Sequence, residues 1–145
     1  KSEMQSVRTL FEEYIEELDE DLSFQGFEEE LNSLPGEYRQ PEGSLYLALL
    51  DNTPVGCIAM RKIDDEVCEM KRLFVKPEFR HRKIGEALVR SIIASARSHR
   101  YKKMKLDSLR RLTAATRLYR KFGFHETTPY VYNPLPEAIY MELEL

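Results

Sequence analysis

The stretch from Val67 to Ala96 constrains the fold more than any other part of the chain, because the period of its apolar residues changes within it. Residues 67–75 read as a strand, ended by Pro77, while from Ile84 onward Ala87, Leu88, Ile92 and Ala96 recur at helical spacing. Between them lie the basic segment Arg80-His81-Arg82-Lys83 and Gly85, and Met104–Leu106 reads as a short strand after the helix. Strand, helix and strand in that order belong to an α/β fold.

The rest of the chain fits around this unit. Residues 3–18 place Met4, Val7, Leu10, Phe11, Tyr14, Ile15 and Leu18 on one helical face, with glutamates between them. A short helix is expected from Gly26 to Leu34, stopped by Pro35-Gly36. Residues 44–50 and 55–63 read as strands across the turn Asp51-Asn52-Thr53-Pro54. Leu112, Ala115, Leu118, Tyr119 and Phe122 form a last helical stripe, stopped by Gly123. Ile139, Met141, Leu143 and Leu145 then alternate with polar residues as a half-buried strand. The order predicts a mixed sheet, and 145 residues without repeat or linker predict a single domain over 1–145.

Several functions are excluded early. The longest apolar run, Leu45 to Leu50, is far below the roughly 20 residues that span a bilayer, and the acidic N-terminus does not read as a signal or transit peptide. A cytoplasmic protein without membrane contact is the expectation. Cys57 and Cys68 fall in neighbouring strands, offset by about five residues or roughly 16 Å, too far for a disulfide. His81, His99 and His125 are scattered, so no metal site is expected.

Charge is divided along the chain. Residues 1–42 carry 13 Asp/Glu against 3 Lys/Arg, a net −10, and residues 71–121 carry 17 Lys/Arg against 3 Asp/Glu, a net +14. The basic residues at 80–83 precede a helix N-terminus, where unpaired N–H groups and the positive dipole end attract a phosphate or pyrophosphate. Gly85 in the first turn leaves room for a ligand against the backbone. The same pattern fits a solvated loop that only caps the helix, and spacing alone does not separate the two readings.

The strand, the proline turn and Arg80-His81-Arg82-Lys83-Ile84-Gly85 resemble the signature of the GNAT N-acetyltransferase superfamily. That signature is Arg/Gln-x-x-Gly-x-Gly/Ala, and it opens the helix that binds the pyrophosphate of acetyl-CoA. Leu106-Asp107-Ser108, followed by Ala115-x-x-Leu118-Tyr119-x-x-x-Gly123-Phe124, is similar to the family's late strand and helix. Pro129-Tyr130 with Ile139-Tyr140-Met141-Glu142-Leu143 resembles a bacterial-type subgroup of small acetyltransferases. The likeness runs from about residue 44 to the C-terminus. It implies an α/β acyl-CoA N-acyltransferase fold with a mixed, splayed central sheet flanked by helices. It also implies acetyl-CoA as co-substrate and transfer to a primary amine by direct attack in a ternary complex. Lys83 and His81 depart from glycine in the signature, Leu112 stands where an asparagine is usual, and the chain begins in helical pattern where the family opens with a strand.

By resemblance, Glu69 is the strand-borne general base, needed because an alkylammonium with a pKa near 10 must lose a proton before it attacks. Its alternative is a glutamate paired with Arg61 or Lys71. Tyr119 is by resemblance the proton donor to the CoA thiolate; otherwise it is one ring of an apolar stripe. Leu73, Phe74 and Val75 would hold the pantetheine arm through backbone groups. Arg80, His81, Arg82, Lys83, Ile84, Gly85 and Glu86 would form the pyrophosphate loop. Arg110, Arg111, Arg117 and Lys121 would reach the 3′-phosphate or form a solvated face, and Phe24, Phe27, Tyr130 and Tyr132 would wall the acceptor pocket or pack the core. A cationic acceptor, such as a polyamine, an aminoglycoside-like amine or a lysine side chain, would suit the acidic N-terminal third. The rival readings are a catalytically silent CoA-binding module and a nucleic-acid binder using the basic centre; the net charge of −3 argues against the second. The sequence leaves the oligomeric state open, an exposed C-terminal strand being one that could pair with a second subunit as a homodimer.

Overall fold

The structure is a computed structural model and describes residues 2–145. Helix α1 (Ser2–Leu18) buries Val7, Leu10, Phe11 and Leu18 and leaves its glutamates outside, as the periodicity requires. After α2 (Phe27–Ser33) come β1 (Ser44–Leu50) and β2 (Thr53–Lys62). Their tight turn places Asp51 and Asn52 at φ 51° and 65°, a conformation these two residue types tolerate best after glycine. Then follow β3 (Val67–Val75), α3 (Ile84–Ser98), β4 (Lys103–Leu109), α4 (Thr113–Lys121), β5 (His125–Glu126) and β6 (Ala138–Glu144).

The six strands form one sheet in the order β1-β2-β3-β4-β6-β5, and only β3–β4 is parallel. The mixed sheet expected from the sequence is therefore present. Two elements differ from expectation. β4 is seven residues long because β6 zips along all of it, from Lys103–Glu144 to Leu109–Ala138. The two-residue β5 carries no periodic signal at all.

Helices cover both faces. Ile58, Met60, Cys68, Met70, Met104 and Met141 pack under α3, with Val89 and Ile92. Cys57, Ala59 and Phe74 pack under α1 and α2, with Leu10, Phe11 and Leu31. Being covered on both sides, β2 is buried without a break from Val55 to Met60. Both cysteines are free and buried; the hairpin opposes Cys57 to Phe74 and Cys68 to Lys62.

β3 carries one irregularity. Cys57 opposes Phe74 but Ala59 opposes Lys71, so two residues of β3, Arg72 and Leu73, face one residue of β2. Arg72 takes up the extra length at φ 63°. Such a bulge bends its strand and sharpens the local twist. Its strain is held by a buried anchor: Arg72 Nε and Nη2 each donate to Glu30 at 2.8 Å, with the guanidinium over the rings of Tyr14 and Phe27.

Candidate active site

At the bulge β3 turns away from β4. The two strands pair at Val67–Lys103, Cys68–Met104 and Glu69–Lys105 and nowhere beyond. From Met70 onward they diverge, and the gap opens into a narrow cleft of about 80 Å³. Its walls are β3 from Met70 to Leu73, β4 from Leu106 to Leu109, Tyr14 of α1 and Tyr119 of α4.

The exposed backbone edge of β3 follows from hydrogen-bond alternation. Lys76 donates its N–H to the Val55 carbonyl at 2.8 Å, and the Phe74 carbonyl lies 2.8 Å from where a Cβ on Gly56 would stand. The Phe74 backbone is thus turned toward β2, and Leu73 and Val75 present theirs to the open side. Of the three residues expected to hold a ligand through the backbone, Leu73 and Val75 face the open side, while Phe74 has its polar groups toward β2 and its ring in the α1 core.

The loop before α3 keeps the shape of a glycine-rich turn without the glycines. His81 and Lys83 sit at φ 67° and 63°, in the region that costs an L-residue roughly 1–2 kcal/mol. A Cβ on Gly85 would meet Leu118 at 3.5 Å and Val75 at 3.8 Å, ordinary contacts, so the protein's own packing does not demand glycine there. The first amides of α3, at Ile84, Gly85 and Glu86, lack the intrahelical acceptors of an interior turn. Arg80 is drawn inward. It donates from Nη2 to Glu17 Oε1 at 2.6 Å and from Nε to the Val75 carbonyl at 2.9 Å. Arg82 lies over the ring of Phe79, and the Glu86 carboxylate pairs with Arg90 and Lys121.

Glu69 sits at the last paired position before the cleft and is wholly buried. Oε1 accepts from Arg61 Nε and Oε2 from the Tyr130 hydroxyl, both at 2.7 Å. The Arg61 pairing is the one that sequence reasoning offered as the alternative to catalysis. The Tyr130 contact was not foreseen, because 61 residues separate the partners. Tyr119 lies on the cleft wall beside Phe124, and burial holds its phenol well above its ordinary value of 10, hence neutral. Sequence reasoning missed Tyr14, Lys71, Asp107 and Asn133 as cleft residues. No spacing rule links α1, β3, β4 and the 127–137 segment, so only the fold brings them together.

The remaining candidates divide. Phe27 is core, Phe24 meets Tyr132 edge-on, and Tyr130 supports Glu69. Arg110, Arg111 and Lys121 are paired with Glu126, Glu20 and Glu86. Six of the thirteen acidic residues before position 43 are taken up by the protein's own cations after position 60. Glu13, Glu17, Glu20, Glu30, Glu37 and Glu42 pair with Lys76, Arg80, Arg111, Arg72, Arg61 and Lys62 of the later chain.

A splayed parallel pair, a helix N-terminus at its mouth and a neutral tyrosine on its wall define an acyl-CoA-type transferase site. The sequence matches the Acetyltransferase (GNAT) family over residues 5–124. It is 39% identical to an uncharacterised N-acetyltransferase of Schizosaccharomyces pombe, over 99% of this chain and 89% of that protein. The fold is similar to an acetyltransferase from Streptococcus agalactiae, with TM-score 0.82 and 20% identity over 98% of this chain and 91% of that one. It is also similar to a GNAT family acetyltransferase from Elizabethkingia anophelis solved with acetyl-CoA bound, with TM-score 0.62 and 29% identity over 72% of this chain and 77% of that one. The chain belongs to the GNAT acetyltransferase family. It is an N-acetyltransferase with acetyl-CoA as its co-substrate.

Proposed function

We propose that one acetyltransferase domain over residues 1–145 carries acetyl transfer to a primary amine inside the β3–β4 cleft. The observation that carries this reading is the open edge of β3, which runs from Glu69, its last residue paired with β4, toward the turn into α3, with Tyr119 on the cleft wall. The pantetheine arm would bond to Leu73 and Val75 as a short added strand. The pyrophosphate would lie on the amides of Ile84, Gly85 and Glu86, neutralised by Arg80, Arg82 and Lys83, with His81 setting the path of the loop. Arg80 would exchange Glu17 for the pyrophosphate.

In the reaction the amine nitrogen attacks the thioester carbonyl, the C–S bond breaks, and the thiolate takes the Tyr119 proton. Before attack the acceptor ammonium gives one proton to the Tyr130 oxygen as Tyr130 hands its own to Glu69 Oε2, and the second proton, shed by nitrogen after attack, returns to the Tyr119 oxygen. A second reading is favoured by the full occupation of both Glu69 oxygens: the residue would be a strut that orients Tyr130 and Arg61. Glu69→Gln separates the two. As proton acceptor its loss lowers kcat by about 10²–10⁴-fold with CoA affinity intact, whereas a strut loses CoA affinity or stability and keeps its kcat. Failure of the wild-type protein to bind CoA at millimolar concentration would overturn the cleft assignment.

Cytoplasmic location is part of the proposal, supported by two free buried cysteines and by the lack, among the described residues, of a helix long and apolar enough to cross a membrane. Four residues of the basic centre, Arg72, Lys76, Arg80 and Arg111, are taken by carboxylates of the acidic third, which speaks against nucleic acid as a partner. A homodimer would use the outer side of β6, which the two-residue β5 covers only at Met141 and Glu142.

A further inference from the structure

Two charges in the cleft lack the counter-ion that their neighbours have. On the same sheet face Glu69 is paired with Arg61 and Arg72 with Glu30. Lys71, on β3 between them, is only 8% exposed, yet no carboxylate of the described residues lies within ion-pair distance of it. Its ammonium donates one hydrogen bond, to Gln25 Oε1 at 3.2 Å, and so has two N–H groups to spare. Opposite, on β4, Asp107 accepts from Asn133 Nδ2 at 2.9 Å through Oδ2 and likewise has no cationic partner among those residues. Both line the cleft that holds Tyr119.

A buried ammonium without a counter-ion is costly, and folding alone gives no reason to keep it. Burial and the adjacent Arg72 push its pKa down, and Glu69 and Asp107, neither within ion-pair distance, offset this only in part. Arg72 shows how this same fold places a lysine-sized cation when the purpose is structural: it supplies a glutamate from α2. At Lys71 the missing carboxylate has to come from outside. Asp107 sets the matching condition. A purely anionic ligand would meet its carboxylate, and a polyamine would meet Lys71, whereas a compact zwitterion satisfies both.

We propose that the acceptor is a small amino acid, with Lys71 as the residue that selects its carboxylate and Asp107 as the group that draws its ammonium into the cleft. Gln25 holds the lysine in position. This rests on the cleft being the acetyl-transfer site and adds the acceptor's chemical class to that reading.

The test is thiol release from acetyl-CoA with the twenty standard amino acids, each set beside the amine that lacks its carboxylate and beside its carboxamide. For at least one amino acid, kcat/KM is expected to exceed that of both partners by about tenfold or more. Lys71→Met and Lys71→Gln are each expected to raise KM for that acid about tenfold, collapsing the preference, while the Kd for CoA stays within twofold. Because removing a buried unpaired charge relieves the fold, both variants are expected to melt no lower than wild type. Transfer to simple amines with no carboxylate preference, or no transfer to any of the acids, overturns the proposal while leaving acetyl transfer in the cleft intact. A preference that survives both substitutions overturns the role of Lys71. Absence of CoA binding would instead strike the cleft assignment itself.

Discussion

Tyr119 shows how a residue's surroundings choose its chemistry. Its phenol lies in an apolar wall, and burial is the largest influence on it, raising its pKa. The sign of the consequence is simple: a raised pKa keeps the proton on to higher pH, so a proton donor here works across the neutral and mildly alkaline range. Tyr119→Phe is expected to lower kcat by about 10²–10⁴-fold without changing CoA affinity, and the wild-type kcat is expected to show no Tyr119-dependent fall up to pH 10. A profile that breaks below pH 9 and loses that break in the variant would assign the ionisation to Tyr119 and contradict its burial. Tyr14, Tyr38 and Tyr130 are raised in the same direction. The stability that such tyrosines confer is complete below the ordinary phenol pKa near 10 and is lost as pH rises past it. Tyr119 and Glu69 were legible in the sequence because each sits inside a local pattern. Lys71 and Asp107 were not, since each is one polar residue of an ordinary strand until the bulge turns β3 aside.

At the level of elements, the β3–α3 unit was legible almost residue by residue, since β3 ended at Val75 and α3 began at Ile84 as the change of period required. The bulge was hidden, because nothing in Lys71-Arg72-Leu73 marks an extra residue without knowledge of what β2 presents opposite. The loop between these elements carries a prediction of its own. His81 holds a left-handed conformation with an exposed side chain that has no carboxylate partner among the described residues. His81→Gly is therefore expected to raise stability by up to about 1 kcal/mol, read by urea unfolding, with CoA affinity unchanged within twofold. A loss of CoA affinity would show that the imidazole, and not only the loop path, serves the cofactor.

For the whole molecule, the division of charge has an internal explanation. An acidic third and a basic centre suggested two ligands of opposite sign, yet six acidic residues before position 43 are matched by six basic residues after position 60. Most of these pairs are partly exposed and worth little singly. Together they set the N-terminal helices on the face of the sheet where the cleft opens. That use of charge depends on long-range contacts, which is why composition alone pointed elsewhere.

The parted strands also bear on how the protein endures in a cell. A sheet with a gap in its middle is an unfinished sheet, and in the proposed binding mode the co-substrate is the piece that completes it. Amide exchange at Leu73 and Val75 is expected to slow when CoA is bound, and the melting temperature to climb with its concentration. At a hundredfold excess over Kd the gain is about 2.7 kcal/mol, and exchange at these two amides that ignores CoA would rule the added strand out. In that binding mode the enzyme's lifetime is expected to follow metabolic supply: when acetyl-CoA runs low, the chain would lose both its reagent and its missing strand, and proteolysis would quicken.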